Sequence, residues 1–144
     1  MQTPHFPRRA ILAGATAALM TARATSATPL RLRCRFADQD FTWRLHDNPT
    51  TRDLISLLPL DLMIEDFSTN EKIAHLPRRL DEGGLVDYDD EQPGDLCYFR
   101  GWGNLAMFHG SYRYRGDLIR LGHIEGGVAP LLVKGSFPLN IALA

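Results

Sequence analysis

The feature that most constrains the fold is an alternation of apolar and basic side chains in residues 30–36. Its apolar members are Leu30, Leu32, Cys34 and Phe36, and arginines occupy the positions between them. A period of two places the two sets on opposite faces of a β-strand. Residues 37–40 supply a turn, and residues 41–45 predict a strand that pairs back as a hairpin. The chain should therefore bury one face of an antiparallel sheet in a core.

The rest of the chain continues this pattern of short strands separated by turn residues. A start signal at residues 48–50, with Thr50 as the N-cap, predicts a helix over residues 51–58 that Pro59 ends. Gly126-Gly127 predicts a second short helix or turn over residues 128–133. The remaining strands are predicted over residues 60–67, 72–76, 95–100, 105–109, 118–124 and 136–143. This order predicts a mainly β fold, a closed or nearly closed antiparallel β-barrel with two short helices.

The beginning of the chain has the layout of a targeting segment. Arg8 and Arg9 precede an apolar run over residues 10–20, and small residues follow up to Ala27. This order is typical of a signal peptide, and the arginine pair resembles the twin-arginine export motif. We expect cleavage after Ala24 or Ala27. A helix over the apolar run would span roughly 17 Å, less than the ~30 Å of a bilayer core, which argues against a permanent membrane anchor.

Length and charge limit what the exported part can be. Residues 1–27 are interpreted as the signal peptide, and residues 28–144 as one domain of ordinary globular size. Without the three arginines of residues 1–27, 13 basic side chains face 17 acidic ones, a formal net charge of −4. A mildly acidic domain is a poor candidate for binding nucleic acid, which requires a basic surface. The expected partners are the twin-arginine export machinery, through Arg8 and Arg9, and a ligand in the periplasm or outside the cell.

The two cysteines leave two interpretations open. Cys34 and Cys97 would meet an oxidising compartment after export, and they could form a disulfide if their Cα atoms lie within about 7 Å. Cysteines on apolar strands are also common as free thiols in a core.

Motifs for metals and common cofactors are missing from the sequence. The four histidines of residues 28–144, at positions 46, 75, 109 and 123, lack the spacing of a metal site. No nucleotide or nucleophile-elbow signature occurs, and Gly101-Trp102-Gly103 has too few glycines to hold a phosphate. The acidic stretch over residues 77–93 is interpreted as a solvated loop. The sequence therefore predicts neither a cofactor nor a metal.

Two stretches of the chain resemble a known family. The first runs from Asp47-Asn48-Pro49-Thr50 through Leu58-Pro59-Leu60 to Leu76-Pro77, and the second from Gly94-Asp95-Leu96 to Arg120-Leu121-Gly122-His123-Ile124. Together they are similar to the bacterial cyclophilin-like domain family, which is related in fold to the cyclophilin prolyl isomerases. The resemblance implies a barrel of about eight antiparallel strands with an apolar groove on its outer surface. It does not imply an activity.

The resemblance also indicates which residues should surround that groove. It places Arg113 where many cyclophilins have a tryptophan, and Leu118 where they have a histidine. Met107 or Phe108 would replace the pocket phenylalanine, but the segment with the catalytic arginine has no counterpart, so no catalytic residue is predicted. Three further side chains, Phe99, Arg100 and Trp102, are expected near the groove, where aromatic groups beside an arginine suit a peptide or flat ligand. The alternative is that the aromatic residues are ordinary barrel packing and that Arg100 is solvated.

Three functions are compatible with these observations. The first is an exported module that binds a peptide or small ligand without chemistry of its own. The second is a weak periplasmic prolyl isomerase or folding helper that uses Arg100 or Arg113. The third is a minor component of a larger exported complex that uses the acidic loop or an edge strand.

Overall fold

The computed structural model describes residues 30–144, which form a single antiparallel β-barrel of eight strands. The predicted signal peptide, residues 1–27, lies outside the described residues. Among those described, no helix is long and apolar enough to cross a membrane. The eight strands are β1 Arg31–Phe36, β2 Gln39–Leu45, β3 Leu60–Phe67, β4 Glu71–His75, β5 Asp95–Phe99, β6 Asn104–Phe108, β7 Leu118–Ile124 and β8 Phe137–Leu143.

The barrel closes because its first and last strands pair with each other. Around the barrel the strands run β1-β2-β7-β5-β6-β4-β3-β8, and every neighbouring pair is antiparallel. Closure leaves no free sheet edge, which protects the strands from pairing with other chains. The prediction of a closed antiparallel β-barrel is confirmed.

The predicted hairpin forms the first two strands. Leu32, Cys34 and Phe36 are buried, while Arg33 and Arg35 are exposed, as the alternation requires. The turn is shorter than expected, because Gln39 and Asp40 already pair with Phe36 and Arg35. Only residues 37 and 38 lie between the strands, and Ala37 adopts a positive φ of 48° to make the reversal.

The α-helix of the described residues, α1 Pro49–Ser56, begins two residues before the predicted start. Its N-cap is Asn48 rather than Thr50, since the Asn48 side chain accepts a hydrogen bond from the Thr51 N–H at 2.8 Å. Pro49 then occupies the first turn, where its missing N–H costs nothing. Thr50 is fully buried and accepts a hydrogen bond from the Gly84 N–H, so its hydroxyl anchors a loop instead.

The second predicted helix is a short 3-10 turn over Ala129–Leu132. Glycines at 126 and 127 and at 135 flank this stretch, and Val133 is already extended, so too few residues remain for an α-helix. Leu131 is fully buried and closes one end of the barrel core. The core itself is a continuous set of apolar side chains from every strand and from α1.

The acidic stretch between β4 and β5 has no regular secondary structure but is fastened to the barrel. Leu80 is buried, and its N–H donates to the Tyr98 hydroxyl at 3.1 Å. Two acidic side chains of the loop form ion pairs, Glu82 with Arg100 and Asp90 with Arg120. The predicted loop is therefore present, and part of its acidic character neutralises arginines of the barrel.

Candidate ligand-binding groove

A second apolar layer lies on the outside of the barrel, over the neighbouring strands β4, β6, β5 and β7. Side chains alternate between the two faces of each strand, so residues 96, 98, 105 and 107 point into the core. Their neighbours in sequence point outward and form a separate apolar cluster. That cluster consists of Cys97, Ala106, Phe108 and Leu118, with Phe99, Tyr112 and Tyr114 packed against it.

A groove of about 630 Å³ opens over this outer layer. Its floor includes Ile73, Ala106, Phe108 and Leu118, and its apolar character comes from four strands at once. A volume of this size lies within the range of roughly 300–1,000 Å³ that is typical of ligand sites. We call this feature the outer groove.

Three aromatic rings form one wall of the outer groove. The Trp102 ring makes edge-to-face contacts with Phe67, at 5.4 Å between centroids, and with Phe99, at 5.6 Å. Trp102 is nevertheless 57% exposed. Gly101 makes the arrangement possible, since a Cβ atom there would lie 2.5 Å from the Phe99 ring. The wall is a rigid aromatic surface of the kind that contributes strongly to binding.

The opposite wall is the segment 109–117 between β6 and β7. Tyr112 stacks on Phe108, with 3.8 Å between ring centroids and 8° between the ring planes. Asn70 holds the start of the segment by accepting from the His109 and Gly110 N–H groups and by donating to the Ser111 carbonyl. Arg100 holds its end, because its guanidinium donates to the Gly116 carbonyl at 3.1 Å.

A buried polar cluster supports this wall from behind. The Asp95 carboxylate is 3% exposed and accepts a hydrogen bond from the Tyr112 hydroxyl at 2.7 Å. His123 Nδ1 lies 3.0 Å from the same carboxylate, and the Tyr88 hydroxyl lies 2.9 Å from that of Tyr112. Burial raises the pKa of both tyrosines well above the usual range, so they stay protonated and can donate. The cluster fixes the orientation of Tyr112 at the groove.

Four charged side chains lie along the outer groove. Arg113 and Arg115 are exposed on the wall segment, and Asp117 follows them. Glu71 comes from β4, and its partial burial raises the pKa of its carboxyl to about 7. A carboxyl group that titrates near neutral pH in a cleft is a candidate functional group, although burial alone accounts for this shift.

The structure brings four of the six predicted binding residues to the outer groove. Phe99, Trp102, Phe108 and Arg113 line it, as does Leu118, which the resemblance placed there. Met107 is fully buried in the barrel core, because its neighbour Phe108 takes the outward position on β6.

Arg100 does not line the outer groove either. Its guanidinium is held by the Glu82 carboxylate, at 3.0 Å, and by the Gly116 carbonyl. It ties the acidic loop to the wall segment, which places it near the outer groove but outside its lining.

Several groove residues could not be found from the resemblance. Phe67 and Ile73 reach the groove from β3 and β4, which are distant in sequence from the predicted residues, and Asn104 reaches it from the start of β6. Arg115 had a signal, since Tyr112-Arg113-Tyr114-Arg115 alternates between aromatic and basic side chains. The period of two indicates that both arginines lie on the same side, and the half-buried tyrosines and exposed arginines follow that pattern.

The two cysteines lie in different apolar layers as free thiols. Cys34 belongs to the barrel core, whereas Cys97 belongs to the outer cluster beneath Tyr112. Burial raises the pKa of each thiol to about 12. Both therefore remain neutral near pH 7 and are poor nucleophiles. Of the two interpretations from sequence, the structure has the free thiols.

Within residues 30–144, no group of three or more histidine, cysteine, aspartate or glutamate side chains is arranged to hold a metal ion. The buried polar cluster around Asp95 contains a histidine and a cysteine, but its hydrogen bonds are internal. We describe it as support for the groove wall.

An eight-stranded antiparallel barrel with a filled interior and an apolar groove on its outer surface defines the cyclophilin-type class of β-barrel. The sequence profile of the Cyclophilin-like family matches residues 34–142, which is most of the chain. The protein belongs to that family, and the resemblance read from the sequence is confirmed to this extent.

A solved relative shares the fold at low sequence identity. It is the solution structure of the hypothetical protein AF2241 from Archaeoglobus fulgidus, with a TM-score of 0.65 and 17% identity. The alignment covers 81% of this chain and 95% of the other. A comparison with curated protein sequences found no match.

Proposed function

We propose that this protein is an exported binding module that takes a peptide or small apolar ligand in the outer groove, without chemistry of its own. The observation that carries the proposal is the outer groove itself, a concave site with an apolar floor and an aromatic wall in which Trp102 is 57% exposed and Phe67 is 39% exposed. A concave site of this size, lined mainly by apolar and aromatic side chains with a few polar groups, is the usual form of a ligand site. The thiol in the cluster beneath the groove, Cys97, is buried and neutral, which supports binding rather than nucleophilic chemistry.

Tryptophan fluorescence provides a direct test. Trp43 is fully buried in the core, so the exposed Trp102 reports on the groove. The probe is the neutral peptide acetyl-Gly-Phe-Asn-Val-Ala-Gly-amide, followed by tryptophan emission and by amide shifts in ¹⁵N NMR spectra. We expect shifts in β5, β6 and the 109–117 segment. Shifts confined to other faces of the barrel, or no binding at all, would contradict the proposal.

A pair of variants separates groove binding from general stickiness. Trp102→Ala should weaken peptide binding about tenfold, because an aromatic anchor at the centre of a site is worth 1–2 kcal/mol or more. Leu132→Ala is the matched control, since Leu132 is similarly exposed, at 54%, and lies outside the groove. An equal loss in both variants would point to unspecific hydrophobic contact.

Export is the second part of the proposal and rests on Arg8 and Arg9 before an apolar run. Replacing both residues with lysine should leave unprocessed precursor in the cytoplasm. Arg23→Lys makes the same chemical change in the same segment but outside the pair, and it should be processed normally. Normal processing of the double variant would remove the twin-arginine interpretation.

Prolyl isomerisation is a second candidate function, favoured by the presence of Arg113 beside an apolar floor. The uncatalysed reaction takes tens to hundreds of seconds, so acceleration is easily measured by NMR exchange on a short X-Pro peptide. We expect little or no acceleration. A thousandfold enhancement that is lost in Arg113→Ala would replace the binding module with an isomerase.

A further inference from the structure

The wall segment carries two exposed arginines, Arg113 and Arg115, that line the outer groove. Most arginines of this domain have a carboxylate partner: Arg31, Arg33, Arg52, Arg78, Arg100 and Arg120 all form ion pairs. Within residues 30–144, neither groove arginine has a carboxylate within ion-pair distance. Three other arginines of residues 30–144 also form no ion pair, but they lie outside the groove, so Arg113 and Arg115 are the unpaired arginines that line it.

The two carboxyl groups that line the outer groove, Asp117 and Glu71, do not remove the positive charge of its two arginines. Asp117 can offset one arginine at most. Glu71, with its pKa raised to about 7 by burial, is largely protonated in mildly acidic solution and then carries no charge. The groove therefore keeps a net positive charge beside its apolar floor at such pH values.

The backbone of the wall segment is also available for pairing. Exposure alternates along residues 111–117, as it does in an extended chain, and the side chains of Tyr112 and Tyr114 pack against the outer cluster. In the described part of the chain, the N–H groups of Arg113 and Arg115 donate to no backbone or side-chain acceptor, whereas the Tyr114 N–H donates to Glu91. The closed barrel has no free strand edge. Unpaired backbone beside the groove is instead found in this exposed, extended segment.

We propose that the outer groove takes an extended peptide segment with an acidic side chain, aligned along residues 112–115, so that Arg113 and Arg115 receive the acid. The inference rests on the proposed function and specifies its ligand. An extended peptide supplies backbone carbonyls for the free N–H groups, as in strand-addition recognition. Its alternate side chains project to the same side with the spacing of the two arginines, while the others meet the apolar floor. A carboxylate is the natural partner of an unpaired guanidinium.

The test compares three peptides, acetyl-Gly-Phe-X-Val-Ala-Gly-amide with X as Asp, Asn or Lys, at pH 6.5 and low salt. We expect the Asp peptide to bind about fivefold more tightly than the Asn peptide, and the Lys peptide to bind least well. The Arg113→Gln/Arg115→Gln double variant should bind the Asp and Asn peptides equally. The preference should also shrink as salt is added, since the arginines are exposed.

Arg35→Gln/Arg44→Gln is the matched control, because it removes two exposed arginines from β1 and β2, outside the groove. It should keep the preference for Asp. Equal affinity of the unmodified protein for the Asp and Asn peptides would overturn this inference and leave the binding module standing. A preference that survives in the groove double variant would also overturn it. Failure of all three peptides to bind would overturn the proposed function together with the inference.

A final arm separates a peptide from a simple organic acid. 3-Phenylpropionate has a ring and a carboxylate but no peptide backbone. It should compete with the Asp peptide only at far higher concentration. Competition at equal concentration would show that the carboxylate and ring suffice, which overturns the assignment of a peptide.

Discussion

The strands β1 and β6 lie on opposite sides of the same barrel but differ in how many of their faces are covered. β1 alternates buried apolar and exposed arginine side chains, whereas all five residues of β6 are buried. The outer face of β1 meets water, and the outer face of β6 is the floor of the groove. One side of this barrel therefore faces water, whereas the other side carries a second apolar layer.

The two apolar layers that share β6, the barrel core and the outer cluster, have different roles. Leu105 and Met107 point inward to a closed core, where packing is dense and every side chain has neighbours on all sides. Ala106 and Phe108 point outward into the outer cluster and form part of the groove floor. Changes in the inner layer should therefore cost stability, and changes around the groove should mainly cost binding.

The largest effect on stability is expected from the inner layer. Met107→Ala removes a fully buried side chain and leaves a cavity, so the free energy of unfolding should fall by about 2–5 kcal/mol. Urea unfolding followed by circular dichroism measures the change. A loss below about 1 kcal/mol would break the comparison, since it would mean that residue 107 is no better packed than a surface position.

A smaller effect should come from a hydroxyl group inside the barrel. Tyr98 accepts a hydrogen bond from the Leu80 N–H, and Tyr98→Phe would leave that buried donor unpaired. We expect a loss of about 1–3 kcal/mol. Tyr114→Phe is the control, because its hydroxyl bonds to Asp87 at the surface. If Tyr114→Phe lost as much free energy of unfolding as Tyr98→Phe, the buried hydroxyl would contribute no more to stability than the surface one.

Glu71 lines the groove, and its raised pKa should make the free energy of unfolding depend on pH. Its pKa is about 7 in the folded protein and near 4.5 when unfolded, so the folded state binds the extra proton between these values. Stability should then fall as pH rises from about 4.5 to 7. Glu71→Gln should remove this loss, about 1 kcal/mol once solvent screening of a half-open groove is allowed for. If the stability of the unmodified protein and that of Glu71→Gln changed equally with pH, the raised pKa of Glu71 would be contradicted.

The smallest effect is expected on the solvated side of the barrel. Arg35 is exposed on β1, and Arg35→Ala should change the free energy of unfolding by no more than about 0.5 kcal/mol. The same denaturation assay applies. A loss comparable to that of Met107→Ala would show that the outer face of β1 is covered by something in solution, and the contrast with β6 would disappear.

Strand periodicity explains which residues could be assigned in advance. β3 and β7 have the predicted bounds, and β1 and β2 have the predicted facing, because turn residues and alternation mark them locally. On β6 the run from Leu105 to Phe108 is apolar throughout, so Met107 and Phe108 were equal candidates for the groove. Because both faces of this strand are covered, both carry apolar side chains, and the alternation that would have distinguished the two residues is absent.

The sequence by itself determined the strand content, the antiparallel hairpin, the family and most of the aromatic residues of the groove. These properties depend on local periodicity, turn chemistry and motif order, which are readable along the chain. Only the tertiary structure decided that Arg100 pairs with Glu82 while Arg113 and Arg115 have no carboxylate partner. It also decided that Phe67 and Glu71 line the same groove. Such pairings depend on which strands become neighbours when the barrel closes, and closure joins residues far apart in sequence.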